Sequence, residues 1–395
     1  MSLNEKILTT EVQKFIIENE WIDPKLIALK KTPFLQVNSA ELAQQIESRR
    51  KAKKKLPTWY MTNGIYYPKA LSIEQSSSEQ TADFKRQLIS SNESLIDLTG
   101  GFGVDAHYFS LTAKKVVHCE IDPTLSKISK HNAKVLNRKN IEFRQGNGID
   151  ILKKSNEHFD TIYIDPARRL NTKKVFLLQD CQPDILEHRQ TLLERSKQVI
   201  VKTSPLLDIS QTLVQLQNIK EVYILSIKNE CKELLIVLDQ EPVSRTKITA
   251  KLLNEDERTF SFFADEELEA KALFSEPESY IYDPDASLLK AGCFKLISTY
   301  YQLNKLHINT HLYTSSNKIE NFAGRTFKIK AVMDYRDFKK RKDHPAASII
   351  SKNFPINSTT LRKKHKIKES AEHFLFFCKT HDENLRVISA ERLSS

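Results

Sequence analysis

Five short apolar runs, at 94–98, 115–120, 141–144, 159–164 and 198–202, are separated by segments that read as helix. Strands and helices alternating at this spacing form a parallel sheet with crossover helices on its faces. Such sheets bind ligands at the carboxyl ends of their strands. Gly101, Glu120, Asn147, Asp165 and Lys202 all fall at those ends. Two further runs, Val222 to Ile227 and Leu234 to Leu238, are joined by a loop too short for a crossover, so they pair antiparallel. The predicted fold class is α/β, a Rossmann-like parallel sheet with a closing antiparallel hairpin.

The first turn of this sheet carries the chemistry. Asp97-Leu98-Thr99-Gly100-Gly101-Phe102-Gly103-Val104-Asp105 joins a strand to a helix. Glycines let backbone N–H groups approach a ligand closely, and the helix N-terminus adds partial positive charge. Glu120 ends the next apolar run, where an acidic side chain accepts hydrogen bonds from ribose hydroxyls. The fourth run ends in Asp165-Pro166-Ala167-Arg168-Arg169. Gly101 to Ala106 also fits the G-x-G-x-x-G/A pattern of NAD-binding folds, and a glycine turn holding no ligand is the plainest alternative. Nucleotide loop, ribose acid and strand-end Asp-Pro, in that order, point to methyl transfer from S-adenosylmethionine. The hairpin and Asp165-Pro166 speak against an NAD oxidoreductase.

The chain has 395 residues and room for several domains. Its five cysteines are scattered with no C-x-x-C pair, which argues against a zinc site or a disulfide framework and for a reducing, cytoplasmic setting. No apolar run approaches a membrane span, and no metal or membrane partner is expected. Net charge is +11. The stretch from Arg325 to Lys368 holds fourteen Lys or Arg against three Asp, an excess equal to that of the whole chain. Basic patches concentrate polyanions, so this stretch points to RNA. Phe327, Tyr335, Phe338 and Phe354 interleave with its bases, either to stack on nucleobases or to face a core. A second run, Arg49 to Lys55, is either another such patch or a solvated surface.

Four regions are expected: 1–73 helical, 74–240 catalytic, 241–318 small α+β (ferredoxin-like), and 319–395 basic. A capping box places a helix start near Ser76 or Ser77. Beyond Gln240, short strands are read at 260–263, 280–282, 327–332, 348–350, 373–378 and 385–389, and helices at 285–302 and 357–365.

The chain resembles bacterial class I methyltransferases that use S-adenosylmethionine and carry a C-terminal THUMP-like domain. The resemblance rests on Ser72 to Ala82, Asp97 to Asp105, Asp165 to Arg169, Lys202 to Pro205 and Asn229 to Leu235, with a looser match from Lys328 to Phe377. It implies an RNA substrate. It also implies a cofactor loop formed by Asp97, Thr99, Gly100, Gly101 and Gly103, a ribose contact at Glu120, and an adenine contact at Asn147 or Asp150. Asp165 would lie next to the transferred methyl. Gln75 and Ser78 either close the pocket or only cap a helix. Thr99 stands where the usual loop has its first glycine, and Asp-Pro-Ala-Arg stands where many amino-methylating enzymes have Asp/Asn-Pro-Pro-Tyr/Phe. Arg168 would stack on a base or grip a phosphate, unless it makes a surface salt bridge. Asp165 or the Pro166 carbonyl would orient an exocyclic amine. The expected activity is methylation of a base nitrogen in RNA. The alternatives are a methyltransferase for a protein or small molecule, and a catalytically silent RNA-binding protein.

Overall fold

The computed structural model describes residues 3–168, 178–253 and 257–393. It divides into two compact units, Met1–Ile219 with Leu235–Val243, and Lys220–Leu234 with Ser244–Ser395.

The first unit contains the expected alternation. Its strands are β1 (Ser94–Asp97), β2 (Lys115–Glu120), β3 (Ile141–Gln145), β4 (Phe159–Ile164), a short ribbon of β5 (Ala167–Arg168) with β6 (Cys181–Gln182), and β7 (Ser196–Thr203). The pairs β1–β2, β1–β4, β2–β3 and β4–β7 are all parallel. Leu95, Ile96, Val116, Val117, Ile162 and Val199 are fully buried, as expected of strands covered by helices on both faces. Next come β8 (Ile219–Ile227) and β9 (Glu230–Asp239), neighbours in the strand order. They are joined by Lys228 and Asn229, both at positive φ, the backbone that a two-residue hairpin turn requires. The division between the units falls within this hairpin, with Leu235 and the residues after it in the first unit. There the strand order is β3-β2-β1-β4-β7-β9. The order reverses between β1 and β4, which opens a crevice at their carboxyl ends.

Residues before β1 are helical, as expected. The longest helix, Ser39–Lys55, starts with a full capping box between Asn38 and Glu41. The basic run on it is largely structural. Glu20 binds both Arg49 (3.2 Å) and Lys53 (3.3 Å). Lys51 reaches Glu74 (2.5 Å), and Lys55 donates to the Glu74 carbonyl. The helix expected near Ser76 begins instead at Glu79, capped by Ser78. The two preceding hydroxyls are engaged elsewhere: Ser76 donates to the Ile73 carbonyl and Ser77 to Asp105. Ala52, Leu56, Trp59, Ile65, Tyr67 and Ile73 share one core with Phe102, Val104 and Ile128.

In the second unit β10 (Lys247–Leu252) runs parallel to β8 and antiparallel to β11 (Arg258–Phe263). A seven-stranded sheet follows, built from β12 (Tyr280–Pro284), β13 (Asn304–His307), β14 (Thr310–Ser315), β15 (Gly324–Asp334), β16 (Ser348–Lys352), β17 (His373–Lys379) and β18 (Leu385–Arg392). Its order is β13-β14-β12-β15-β18-β17-β16. Strands β10, β13 and β14 are additions to the sequence reading. The span read as one helix over 285–302 is two, Ala286–Ala291 and Phe294–Tyr301, divided at Gly292 in the left-handed region. Phe327 lies in one core of this unit, while Tyr335, Phe338 and Phe354 lie in another with Phe377 and Leu361. The aromatics interleaved with the bases therefore face the core, and the base-stacking reading of them is withdrawn.

Candidate functional site

The carboxyl ends of β1, β2, β3, β4 and β7 open onto one cleft of about 1120 Å³. Its wall includes Asp97, Thr99, Gly100, Gly101, Gly103, Glu120, Asn147, Asp150, Asp165 and Lys202, as well as Gln75. These sequence-predicted residues thus converge. Ser78 is occupied as a helix cap, and Pro166 follows Asp165 without joining the wall. The Arg168 side chain and Arg169 lie outside the described residues.

The loop after β1 is held by its own backbone and one acid. Gly100 N–H donates to the Cys119 carbonyl at 2.8 Å, and Gly103 N–H to the Gly100 carbonyl at 2.9 Å. Gly103 sits at φ +81°, where a side chain is strained. Gly100 is required for space: a Cβ there would meet the His118 ring at 2.3 Å. His118 is fully buried, and burial pushes its imidazole down to about 4. Glu120 accepts the Gly101 N–H on Oε2 (2.8 Å) and the Asp122 N–H on Oε1 (2.7 Å). Each oxygen keeps acceptor capacity for a ligand hydroxyl.

Asp97 is buried beneath the loop and accepts the Thr99 N–H at 3.0 Å. Burial holds its carboxyl well above the usual range. The Thr99 hydroxyl accepts the Asp165 N–H at 2.6 Å. Asp165 Oδ2 pairs with Lys202 Nζ at 2.5 Å. Asn147 Oδ1 caps the helix Gly148–Lys154 by accepting from Ile149 N–H (2.9 Å) and Asp150 N–H (3.3 Å).

Sequence reasoning missed a charged support behind the cleft. Asp105, in the first turn after the glycines, accepts from Ser77 Oγ (2.7 Å) and Tyr163 Oη (2.9 Å). It pairs with Lys85 at 2.8 Å, and the Lys85 side chain is 0% exposed. Burial alone would raise the Asp105 carboxyl; the Lys85 ammonium, with Lys202 and the Ser77 hydroxyl, overcomes this and holds it below the usual range. The available signal was a lysine at a helical position whose neighbours Ala82 and Phe84 are apolar. Also missed was the wall formed by Gln182, Pro183, Asp184, Glu187 and His188, which no motif announced.

In the second unit the two basic segments lie over one face of the sheet. Helices Tyr335–Lys340 and Ser358–Lys364 both pack into the core formed by Phe338, Leu361 and Phe377. His344 stacks on Phe338 at 4.1 Å, and His365 lies 5.3 Å from His344. Arg336, Lys339, Lys340, Arg341, Lys342, Lys363, Lys364, Lys366 and Lys368 are exposed. Other bases of the stretch are engaged internally: Arg325 and Lys352 with Asp283, Lys330 with Glu391. Among the described residues no helix is long and apolar enough to cross a membrane.

Comparison with known proteins gives the second unit two modules. Residues 280–322 match a ferredoxin-like domain family and residues 324–392 a THUMP domain-like family. The whole chain superimposes on a candidate methyltransferase from Porphyromonas gingivalis W83, with TM-score 0.88, 28% identity and 100% of both chains covered. An uncharacterised RNA methyltransferase of Thermotoga maritima is 28% identical over 134 residues, which is 31% of this chain and 30% of that protein. An uncharacterised RNA methyltransferase of Mycoplasma mobile is 29% identical over 133 residues, 33% of this chain and 36% of that protein. The chain thus spans about a third of the length of the curated relatives it matches.

Proposed function

We propose that this chain, which has a class I methyltransferase fold and a C-terminal THUMP-like domain, uses S-adenosylmethionine to methylate a base nitrogen in RNA. One observation carries the choice of cofactor. The cleft wall holds five acids, Glu120, Asp150, Asp165, Asp184 and Glu187, besides the buried Asp97 and the Lys85-paired Asp105, against Lys153 and Lys202. Such a wall suits a cofactor with an ammonium and a sulfonium and repels the pyrophosphate of a dinucleotide. The residues fit a nucleoside as well: a glycine loop with no Cβ to block approach, and Glu120 acceptors beside it.

When bound, S-adenosylmethionine supplies an electrophilic methyl whose departure leaves the bond pair on sulfur. The chain's residues then have to align an acceptor and exclude water. Asp97 and the loop glycines Gly100, Gly101 and Gly103 would hold the amino-acid end, Glu120 the ribose, and Asn147 or Asp150 the adenine. Asp165 would accept a hydrogen bond from an exocyclic amine and orient its lone pair toward the methyl. The nitrogen gives up one proton as the C–N bond forms, and a carboxylate there can receive it. RNA phosphates are disfavoured in so acidic a cleft, so a single base would enter, turned out of its strand. The exposed bases of the 325–368 stretch would bind the RNA backbone. The THUMP-like match and the two RNA methyltransferase relatives support that partner.

The test is transfer of labelled methyl from S-adenosylmethionine to total RNA from cells lacking this protein, with calorimetric titration of the cofactor alongside. Transfer that disappears in Asp165→Ala, with cofactor binding kept, is the expected result. Transfer to protein but not RNA would favour the alternative substrate, and cofactor binding without transfer would favour the silent RNA-binding reading.

A further inference from the structure

We infer that Thr99 and Lys202 are positioning residues that fix Asp165 from two sides, an inference that rests on the methyl-transfer reading of this cleft. Asp165 precedes a proline, which biases its backbone toward extended conformations but does not set where the turn sits. Two contacts do. On one side the Thr99 hydroxyl accepts the Asp165 N–H at 2.6 Å, and Thr99 is itself tied through its N–H to Asp97 at 3.0 Å. On the other side Lys202 Nζ lies 2.5 Å from Asp165 Oδ2.

Sheet geometry makes both contacts natural. β1 and β7 flank β4, with Asp97 opposite Tyr163 and Ile164 opposite Val201. Thr99, just past β1, and Lys202, one residue beyond Val201, therefore stand on either side of the residue that follows β4. With Oδ2 held by an ammonium, Oδ1 is the carboxylate oxygen left for an incoming amine. Lys202 also offsets one negative charge in a wall rich in carboxylates.

This assigns a purpose to the departure in the loop. A glycine at position 99 offers no hydroxyl, so it would leave the Asp165 N–H without this acceptor. The threonine ties the cofactor loop directly to the acid that faces the acceptor amine. Its action is through Asp165, so its loss should lower turnover rather than cofactor affinity.

The experiment compares Thr99→Val, Thr99→Ser, Lys202→Met and Lys202→Arg in methyl transfer to the same total RNA, with cofactor Kd measured on each purified protein. The expected result is a fall in kcat of about 100-fold for Thr99→Val, the order reached when reacting groups shift by about 1 Å, with cofactor Kd within about twofold of wild type. Thr99→Ser, which keeps the hydroxyl, retains most of the rate. Lys202→Met falls in the same direction, and Lys202→Arg recovers part of it. Wild-type kcat in Thr99→Val or in Lys202→Met overturns the assignment. So does a Thr99→Val loss that appears wholly as weakened cofactor binding, because Thr99 would then be a cofactor-loop residue only. If the wild type itself moves no methyl to RNA, the substrate reading fails separately. The crystal structure of Thr99→Val then decides the positioning claim: an Asp165 turn displaced from its wild-type place supports it, and an unmoved turn overturns it.

Discussion

Glu120 has two tasks, which affects how it is tested. Its carboxylate ties the glycine loop to the chain after β2 through Gly101 and Asp122, so Glu120→Ala removes loop support together with any ribose contact. Glu120→Gln keeps an oxygen acceptor and the side-chain length. It should bind S-adenosylmethionine more weakly than wild type but more tightly than Glu120→Ala, as read by calorimetry; equal loss in both would mean the charge itself is required. Beneath the same loop, His107 and His118 are each pushed down to about 4, chiefly by burial, against about 6.5 in an unfolded chain. Between those values the unfolded chain binds more protons, so stability falls as pH drops from about 6.5 to 4. The effect is up to about 3 kcal/mol for a fully buried imidazole. Denaturant midpoints at pH 7 and 4.5 should show a smaller loss in His118→Leu than in wild type; equal losses would clear His118 of that role. Gly100→Ala, which drives a Cβ into the His118 ring, should cost about 1–3 kcal/mol, and His118→Ala in the same chain should recover part of it.

At the scale of elements, the loop, the acid that ends β2 and the strand-end Asp-Pro were legible because each is local: a few contiguous residues whose type serves one strand end. Strands β1 to β4 and β7 were legible for the same reason, as dense apolar runs. What the sequence hid depends on distant partners. Ser77, Lys85 and Asp105 look like ordinary helix residues until the fold brings the helix Glu79–Lys85 against Val104–Phe109. Strands β13 and β14 escaped notice because Lys305, His307 and Thr310 are polar yet buried, which breaks the alternation a half-exposed strand would show. The aromatics of the basic stretch misled in the opposite direction, since alternation with lysines marks a strand or helix with one buried face as well as it marks a nucleobase platform. The Lys85–Asp105 pair carries its own prediction. Lys85→Met leaves the carboxylate buried with its main counter-charge gone and should destabilise by about 3–5 kcal/mol. Pairing it with Asp105→Leu should restore much of that. Thermal denaturation reads both, and a single variant as stable as wild type would show the pair to be dispensable.

For the whole molecule, net charge proved a poorer guide than its distribution among partners. The run from Arg49 to Lys55 is mostly consumed in holding Glu20 and Glu74, whereas Arg341, Lys342, Lys363 and Lys364 are exposed. Replacing those four by Gln should weaken RNA binding and flatten its dependence on salt, by about 0.7 in the log–log slope for each single-strand phosphate that is no longer neutralised. Cofactor affinity should stay unchanged. Arg50→Gln with Lys54→Gln should alter the slope much less. Filter binding across a salt series distinguishes the two surfaces, and equal effects would mean the charge acts without regard to place. The core that Trp59, Tyr67 and Ile73 share with Phe102 and Val104 bears on descent. Removing the helices that carry Ala52, Trp59 and Ile73 would expose apolar side chains directly behind the glycine turn, so a change on either side of that core has to be matched on the other.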